Sequence, residues 1–186
     1  MTRRPRIVIT LGDPCGIGPE LLLASLHAIN RWADVLVVGA RAGVDLLQPS
    51  AGNGARVFWR WGEPALEVPF VHGCAILGLW TSTTPHWEDK QTGLFGYASW
   101  IDPTPDIDTD DLVLGQGSAA SGRCAAEAVR IGAQLVMDGQ ADALVTLPLA
   151  KAAAHLAGYA FPGHTEFLQE LSGAPITRMA FVSPSL

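Results

Sequence analysis

The chain has 186 residues, enough for one full α/β domain or two small lobes. Its hydrophobic content of 48% against 16% charged residues is that of a core-forming globular protein and excludes a disordered one. A net charge of −6, from 12 basic and 18 acidic residues, argues against nucleic acid as the main partner.

Ile7-Val8-Ile9-Thr10 is the first predicted strand. A glycine-rich turn follows, Gly12-Asp13-Pro14-Cys15-Gly16-Ile17-Gly18. A helix is then predicted over Glu20 to Ala28, with Pro19 at its permissive first position. A turn of this kind either presents backbone N–H groups to an anion or simply connects strand to helix. The dinucleotide pattern G-x-G-x-x-G is not met, because Leu21 stands where its last glycine belongs, and no G-x-x-x-x-G-K-[ST] occurs. Asp34 to Gly39 is an unbroken apolar run, the mark of a strand buried on both faces of a parallel sheet. A short helix is predicted over Ala42 to Leu47.

From Pro49 to Asp111 the texture changes to tryptophan, proline and short apolar runs such as Val57-Phe58-Trp59 and Cys74-Ala75-Ile76-Leu77, read as short strands and loops. The acidic run from Asp102 to Asp111 reads as an exposed connection, and it sets the expected division into a first lobe, 1–112, and a second, 113–186. Ser118 opens a long alanine-rich helix that ends at Met137 with Asp138-Gly139 as its stop. A strand over Ala143 to Thr146, helices over Leu149 to Leu156 and Thr165 to Leu171, and a closing strand over Ile176 to Val182 complete the order. Strands alternating with helices predict a mostly parallel sheet. The three cysteines, Cys15, Cys74 and Cys124, form no C-x-x-C pair, so no disulfide framework is expected. The first apolar run is too short for a signal-peptide core, and no apolar stretch is long enough to span a membrane. The expectation is a cytoplasmic protein with no membrane partner.

Three separated motifs occur in order: Gly12-Asp13-Pro14-Cys15-Gly16-Ile17-Gly18-Pro19-Glu20; Gly115-Gln116-Gly117-Ser118-Ala119-Ala120-Ser121-Gly122; and Asp142-Ala143-Leu144-Val145-Thr146-Leu147-Pro148-Leu149-Ala150-Lys151 followed by Pro162-Gly163-His164-Thr165-Glu166. Together they resemble the 4-hydroxythreonine-4-phosphate dehydrogenase family of vitamin B6 biosynthesis, over Ile7 to Leu47 and Gly115 to Phe181. The resemblance implies an isocitrate/isopropylmalate dehydrogenase-like architecture: two α/β lobes with mostly parallel sheets, incomplete here at the C-terminus, acting as a homodimer. It implies oxidation of 4-phosphooxy-L-threonine to a β-keto acid that decarboxylates to 3-amino-2-oxopropyl phosphate. NAD or NADP would accept the hydride, and a divalent metal such as Zn, Mg or Co would assist. Related substrates are phospho-threonate, phospho-erythronate and aromatic cis-diols.

The resemblance places the substrate-binding pair on His164 and Thr165. Residue chemistry allows two readings, a helix cap with Thr165 at the N-cap or a cluster of His164, the Thr165 hydroxyl and free amides around a phosphate. Lys151, just past a parallel strand, is either a phosphate or cofactor contact or a solvated lysine. Asp13, Gly16, Gly18 and Ser118 are further cleft candidates, each with a structural alternative; for Ser118 that is the cap of the long helix. His155 reads as a packed or surface histidine. His27, His72 and His86 have no supporting neighbours, and no histidine pair has H-x-x-x-H spacing. The family's metal-binding histidines, with its later substrate-binding lysine, asparagine and arginine, fall beyond Leu186. No metal ligand is therefore expected in this chain. Three expectations follow: a fragment, an inactive truncated product that binds a phosphorylated metabolite or only dimerises, or a half completed by another chain.

Overall fold

The computed structural model describes residues 4–47, 57–62, 84–89 and 94–182. Strands β1 (Arg6–Thr10), β2 (Asp34–Val38), β6 (Ser99–Ile101) and β7 (Ala143–Thr146) form a four-stranded sheet in the order β6-β2-β1-β7, and every pairing in it is parallel. β3 (Val57–Gly62), β4 (Thr84–Asp89) and β5 (Leu94–Tyr97) form a separate antiparallel sheet. The run Cys74 to Leu77, read as a strand, lies outside the described residues.

Side chains alternate across the parallel sheet, and each face receives one helix. Ile9, Val35 and Val37 meet Leu22, Leu23 and Leu26 of α1 (Gly18–Ile29). Val8, Leu36 and Val38 meet Ala128, Ile131 and Leu135 of α3 (Ala119–Met137) on the other side. Each fully buried Leu or Ile in these layers contributes about 1.5–3 kcal/mol. A glycine in α3, Gly132, lets the helix lie directly on the strands: a Cβ there would come within 2.8 Å of Thr10 Cγ2 and Leu144 Cδ1. The short α2 (Arg41–Asp45) follows β2, and α4 (Lys151–Leu156) and α5 (His164–Ser172) pack on α3 through Ala126, Val129, Ala154, Phe161 and Phe167.

The sheet draws β7 from residues that the sequence places in a second lobe and pairs it with β1, so strands from 1–112 and 113–186 share one layer. The acidic run 102–111 is not a simple exposed connection. Asp102 and Thr104 are buried, and the Asp102 carboxylate accepts hydrogen bonds from the backbone N–H groups of Arg41 and Thr104, both at 2.9 Å. Pro105 and Asp106 are exposed, as is the stretch from Asp108 to Asp111, where Asp108 caps a turn of 3-10 helix over Thr109–Asp111. The expected closing strand is also absent. Residues 176–182 form no strand, and Phe181 is 83% exposed. Their apolar pattern suits a strand, but among the described residues no partner takes up their backbone hydrogen bonds.

Candidate functional site

Strand order reverses between β1 and β7: β1 leads through α1 to β2 on one side, whereas α3 carries the chain back to β7 on the other. In such sheets ligands gather beyond the carboxyl ends of the strands at this point. Here the two loops at that point are bonded to each other. Leu147 N–H donates to the Thr10 carbonyl at 3.0 Å, and Asp13 N–H donates to the Pro148 carbonyl at 2.9 Å. Gly12 has φ +72°, and a Cβ on it would lie 2.1 Å from the Pro148 oxygen. A Cβ on Gly18 would lie 2.1 Å from the Leu11 oxygen. These glycines make room for the chain's own backbone.

The loop also supplies its own anion. Asp13 is 6% exposed, and its carboxylate accepts the Cys15 N–H at 2.9 Å while its carbonyl accepts the Gly16 N–H at 3.0 Å. The loop of the second motif joins at the same edge, where Gly115 N–H donates to the Cys15 carbonyl at 2.8 Å. Ser118 is the N-cap of α3 in a reciprocal capping box: its hydroxyl accepts the Ser121 N–H at 3.1 Å, and the Ser121 hydroxyl accepts the Ser118 N–H at 3.0 Å. Asp13, Gly16, Gly18 and Ser118 thus have structural partners at this edge.

Two candidates remain: Lys151, which is exposed, and His164, which is half-buried. Pro148 keeps the chain extended through Ala150, so α4 starts at Lys151, two residues later than the sequence suggests. α5 starts at His164 rather than Thr165. Its N-cap is Gly163, which has no side chain to cap with, and Thr165 lies inside the first turn, so Thr165 is not the cap. Lys151 Nζ lies 3.6 Å from the position a Gly163 Cβ would occupy, and Glu166 Oε2 lies 3.0 Å from it. His164 Nε2 is buried and has no hydrogen-bond partner. Burial first, and then the Lys151 charge, hold the His164 imidazole below its usual pKa. The arrangement is a neutral imidazole, an exposed ammonium and a helix start without a side-chain cap, with the Glu166 carboxylate at the same point; the ammonium and the helix start suit a small anion, and Glu166 opposes one. His155 is a surface residue whose Nε2 lies 3.1 Å from the Phe161 carbonyl oxygen. Among the described residues, no group of three or more His, Cys, Asp or Glu could hold a metal ion. No helix among them is long and apolar enough to cross a membrane.

Sequence reasoning missed what joins these pieces. Gly122 of α3 brings α4 into backbone contact: a Cβ there would lie 1.9 Å from the Ala153 oxygen. Glu127 of α3 accepts the Tyr159 phenol at 2.5 Å. The signal for the second was a carboxylate alone in the alanine-rich run Ala125 to Ala128, with Arg130 three residues on.

A parallel sheet with helices on both faces and a strand-order reversal at its carboxyl edge is an α/β fold. The chain belongs to the family of the pyridoxal phosphate biosynthetic protein PdxA, whose family model matches residues 81–186. It is 33% identical over 173 residues to a 4-hydroxythreonine-4-phosphate dehydrogenase of Geobacter metallireducens, covering 92% of this chain and 43% of that protein. It is 30% identical over 187 residues to a D-threonate 4-phosphate dehydrogenase of Cupriavidus necator, covering 98% and 47%. A crystal structure of a 4-hydroxythreonine-4-phosphate dehydrogenase from Burkholderia phymatum superimposes with a TM-score of 0.71 at 27% identity, over 100% of this chain and 48% of that one. The chain spans a little under half the length of these relatives.

Proposed function

We propose that this chain supplies the phosphate-binding part of an NAD- or NADP-dependent dehydrogenase acting on 4-phosphooxy-L-threonine in pyridoxal phosphate biosynthesis. The reaction would oxidise the secondary alcohol to a β-keto acid, which decarboxylates to 3-amino-2-oxopropyl phosphate, in a cytoplasmic homodimer. Relatives named for 4-hydroxythreonine-4-phosphate support this substrate. Those named for D-threonate 4-phosphate, which match nearly the whole chain, support a second reading with that substrate.

The observation that carries the proposal is the pairing of Lys151 with the partnerless His164 Nε2 at the start of α5. Lys151 would neutralise one phosphate charge. His164, neutral at pH 7, would donate from Nε2, and the Thr165 hydroxyl and first-turn amides would take remaining phosphate oxygens. Asp13, Gly16, Gly18 and Ser118 would hold the edge on which these groups stand. The described residues do not fit a divalent metal, since they hold no cluster of ligands. They do not fit a dinucleotide at the first loop either, whose glycines face the chain's own backbone. Neither group is therefore given a step by these residues, which act by binding and orienting the phosphate end.

Calorimetric titration of the chain tests the proposal. The expected order of affinity is 4-phosphooxy-L-threonine above inorganic phosphate, with Lys151→Ala weakening both at least about tenfold. D-threonate 4-phosphate binding more tightly than 4-phosphooxy-L-threonine would favour the second reading. Absence of binding by all three ligands would reject both.

A further inference from the structure

Lys151 and His164 begin two different helices, and neither helix by itself fixes the distance between them. The intervening turn, residues 157–163, does. Besides the contacts of His155 Nε2 with the Phe161 carbonyl and of Phe167 N–H with the Gly163 carbonyl, each at 3.1 Å and each to a flanking helix, three further ties hold it. Tyr159 N–H donates to the Ala154 carbonyl at 3.0 Å and closes α4, with Gly158 at φ +90°. The Phe161 ring stacks on Phe167 of α5 with centroids 4.1 Å apart. The Tyr159 hydroxyl donates to Glu127 Oε1 at 2.5 Å, while Glu127 Oε2 accepts from Arg130 Nε and Nη2 at 2.9 and 2.7 Å.

These ties differ in what they can fix. The first lies within α4 and moves with it. The second joins the turn to α5 and rests with it on Ala126 and Val129 of α3, an apolar contact that is not directional and tolerates sliding. The third is a charge-assisted hydrogen bond, short and directional, to a helix whose Ala128, Ile131 and Leu135 are packed on the sheet. Its charge state is also secure. Burial acts to raise the Glu127 carboxyl, but the Arg130 and Tyr159 hydrogen bonds outweigh it and hold the group below its usual range. Burial and the Glu127 charge push the Tyr159 phenol up to about 12, so it remains a donor.

We propose that the Tyr159–Glu127 hydrogen bond, braced by Arg130, sets His164 against Lys151, so that Tyr159 and Glu127 are positioning residues for the phosphate-binding pair. The inference rests on the reading of that pair given above. The Tyr159→Phe variant tests it, because it removes one hydroxyl and keeps the ring that meets Phe167 edge-on. Three quantities are read on the whole chain: the thermal midpoint, the NMR titration of the His164 ring without ligand, and the affinity for inorganic phosphate. In Tyr159→Phe the midpoint is expected to fall by a few degrees only. The His164 titration is expected to move up towards the ordinary imidazole range as Lys151 and the covering side chains draw away, and phosphate affinity to fall about tenfold. Glu127→Gln, which keeps the side-chain volume, is expected to act in the same direction, and the double variant to be no worse than the stronger single one. If Tyr159→Phe does not fold, Glu127→Gln provides the same readouts.

A lowered midpoint with an unmoved His164 titration and unchanged phosphate affinity would make the bond merely structural and overturn the inference. If the unaltered chain binds no phosphate, the anion-site reading fails. The ligand-free His164 titration still decides the positioning claim, supporting it if it moves and overturning it if it does not.

Discussion

Gly122→Ala tests how closely the site depends on helix packing. Gly122 lies in the first turns of α3, where alanine is intrinsically preferred to glycine by about 1 kcal/mol. Propensity alone therefore expects a more stable protein. The packing expects the reverse. A Cβ at this position would lie 1.9 Å from the Ala153 oxygen, 2.2 Å from its carbonyl carbon and 2.6 Å from the Ala154 nitrogen, all backbone atoms of α4. Ordinary contact begins at 3.4 Å, so α4 must withdraw by about 1.5 Å or α3 must bend. Overpacking of this kind costs about 1–3 kcal/mol, and more where the backbone cannot relax. The steric effect is expected to exceed the propensity gain and leave a net loss of about 1–2 kcal/mol. For a chain of this size that lowers the thermal midpoint by roughly 2–8 °C. Because α4 begins at Lys151, the same shift should weaken phosphate binding by more than the stability loss suggests, on the order of tenfold or above. The assay is thermal unfolding by circular dichroism beside a phosphate titration. A midpoint equal to or above the parent's, with binding intact, would refute the reasoning.

Asp13→Ala removes the acceptor of the Cys15 N–H and is expected to cost about 1–2 kcal/mol in a urea titration, with Asp13→Asn costing less. Intact stability with lost phosphate binding would instead show Asp13 to be a ligand contact. Burial and Lys151 lower the His164 pKa from 6.5. The unfolded chain therefore takes up this proton first as pH falls, so the stability is present above about pH 7 and is lost as pH falls through 6.5 towards the folded value. His164→Gln should flatten that part of the curve on the acid side of pH 6.5, and an unchanged slope would contradict the assignment. Burial raises the Cys15 pKa and pushes the Cys124 thiol up to about 11. Peptide mass analysis after iodoacetamide should find both unlabelled in the native chain and labelled in urea; rapid native labelling would mean that the loop or α3 opens readily.

Much of the fold was legible because its signals are local. The apolar runs at Ile7 and Asp34 and the alanine-rich stretch ending in Asp138-Gly139 each announce an element through their own residues, and the structure places β1, β2 and α3 there. The closing strand failed because pattern alone does not supply a partner for residues 176–182. The buried half of the acidic run failed because Asp102 is paid for by backbone N–H groups from Arg41 and Thr104, the first of them distant in sequence. At the site, His164 and Lys151 stood out as residue types past a strand and a helix start. The glycines of the first loop did not reveal their role, because a glycine that admits a ligand and one that admits a carbonyl look the same in sequence. Gly122 and the Tyr159–Glu127 bond were invisible for the same reason: each acts on residues about 30 positions away.

The central claim is that Lys151 and His164 form one anion site, and histidine-ring NMR during titration with 4-phosphooxy-L-threonine measures it most directly. A saturable shift of the His164 ring signals, with those of His27 and His155 unmoved and the response abolished in Lys151→Ala, is the expected result. A ligand that leaves the His164 ring untouched while binding elsewhere, or one that binds Lys151→Ala as tightly as the parent, would contradict it.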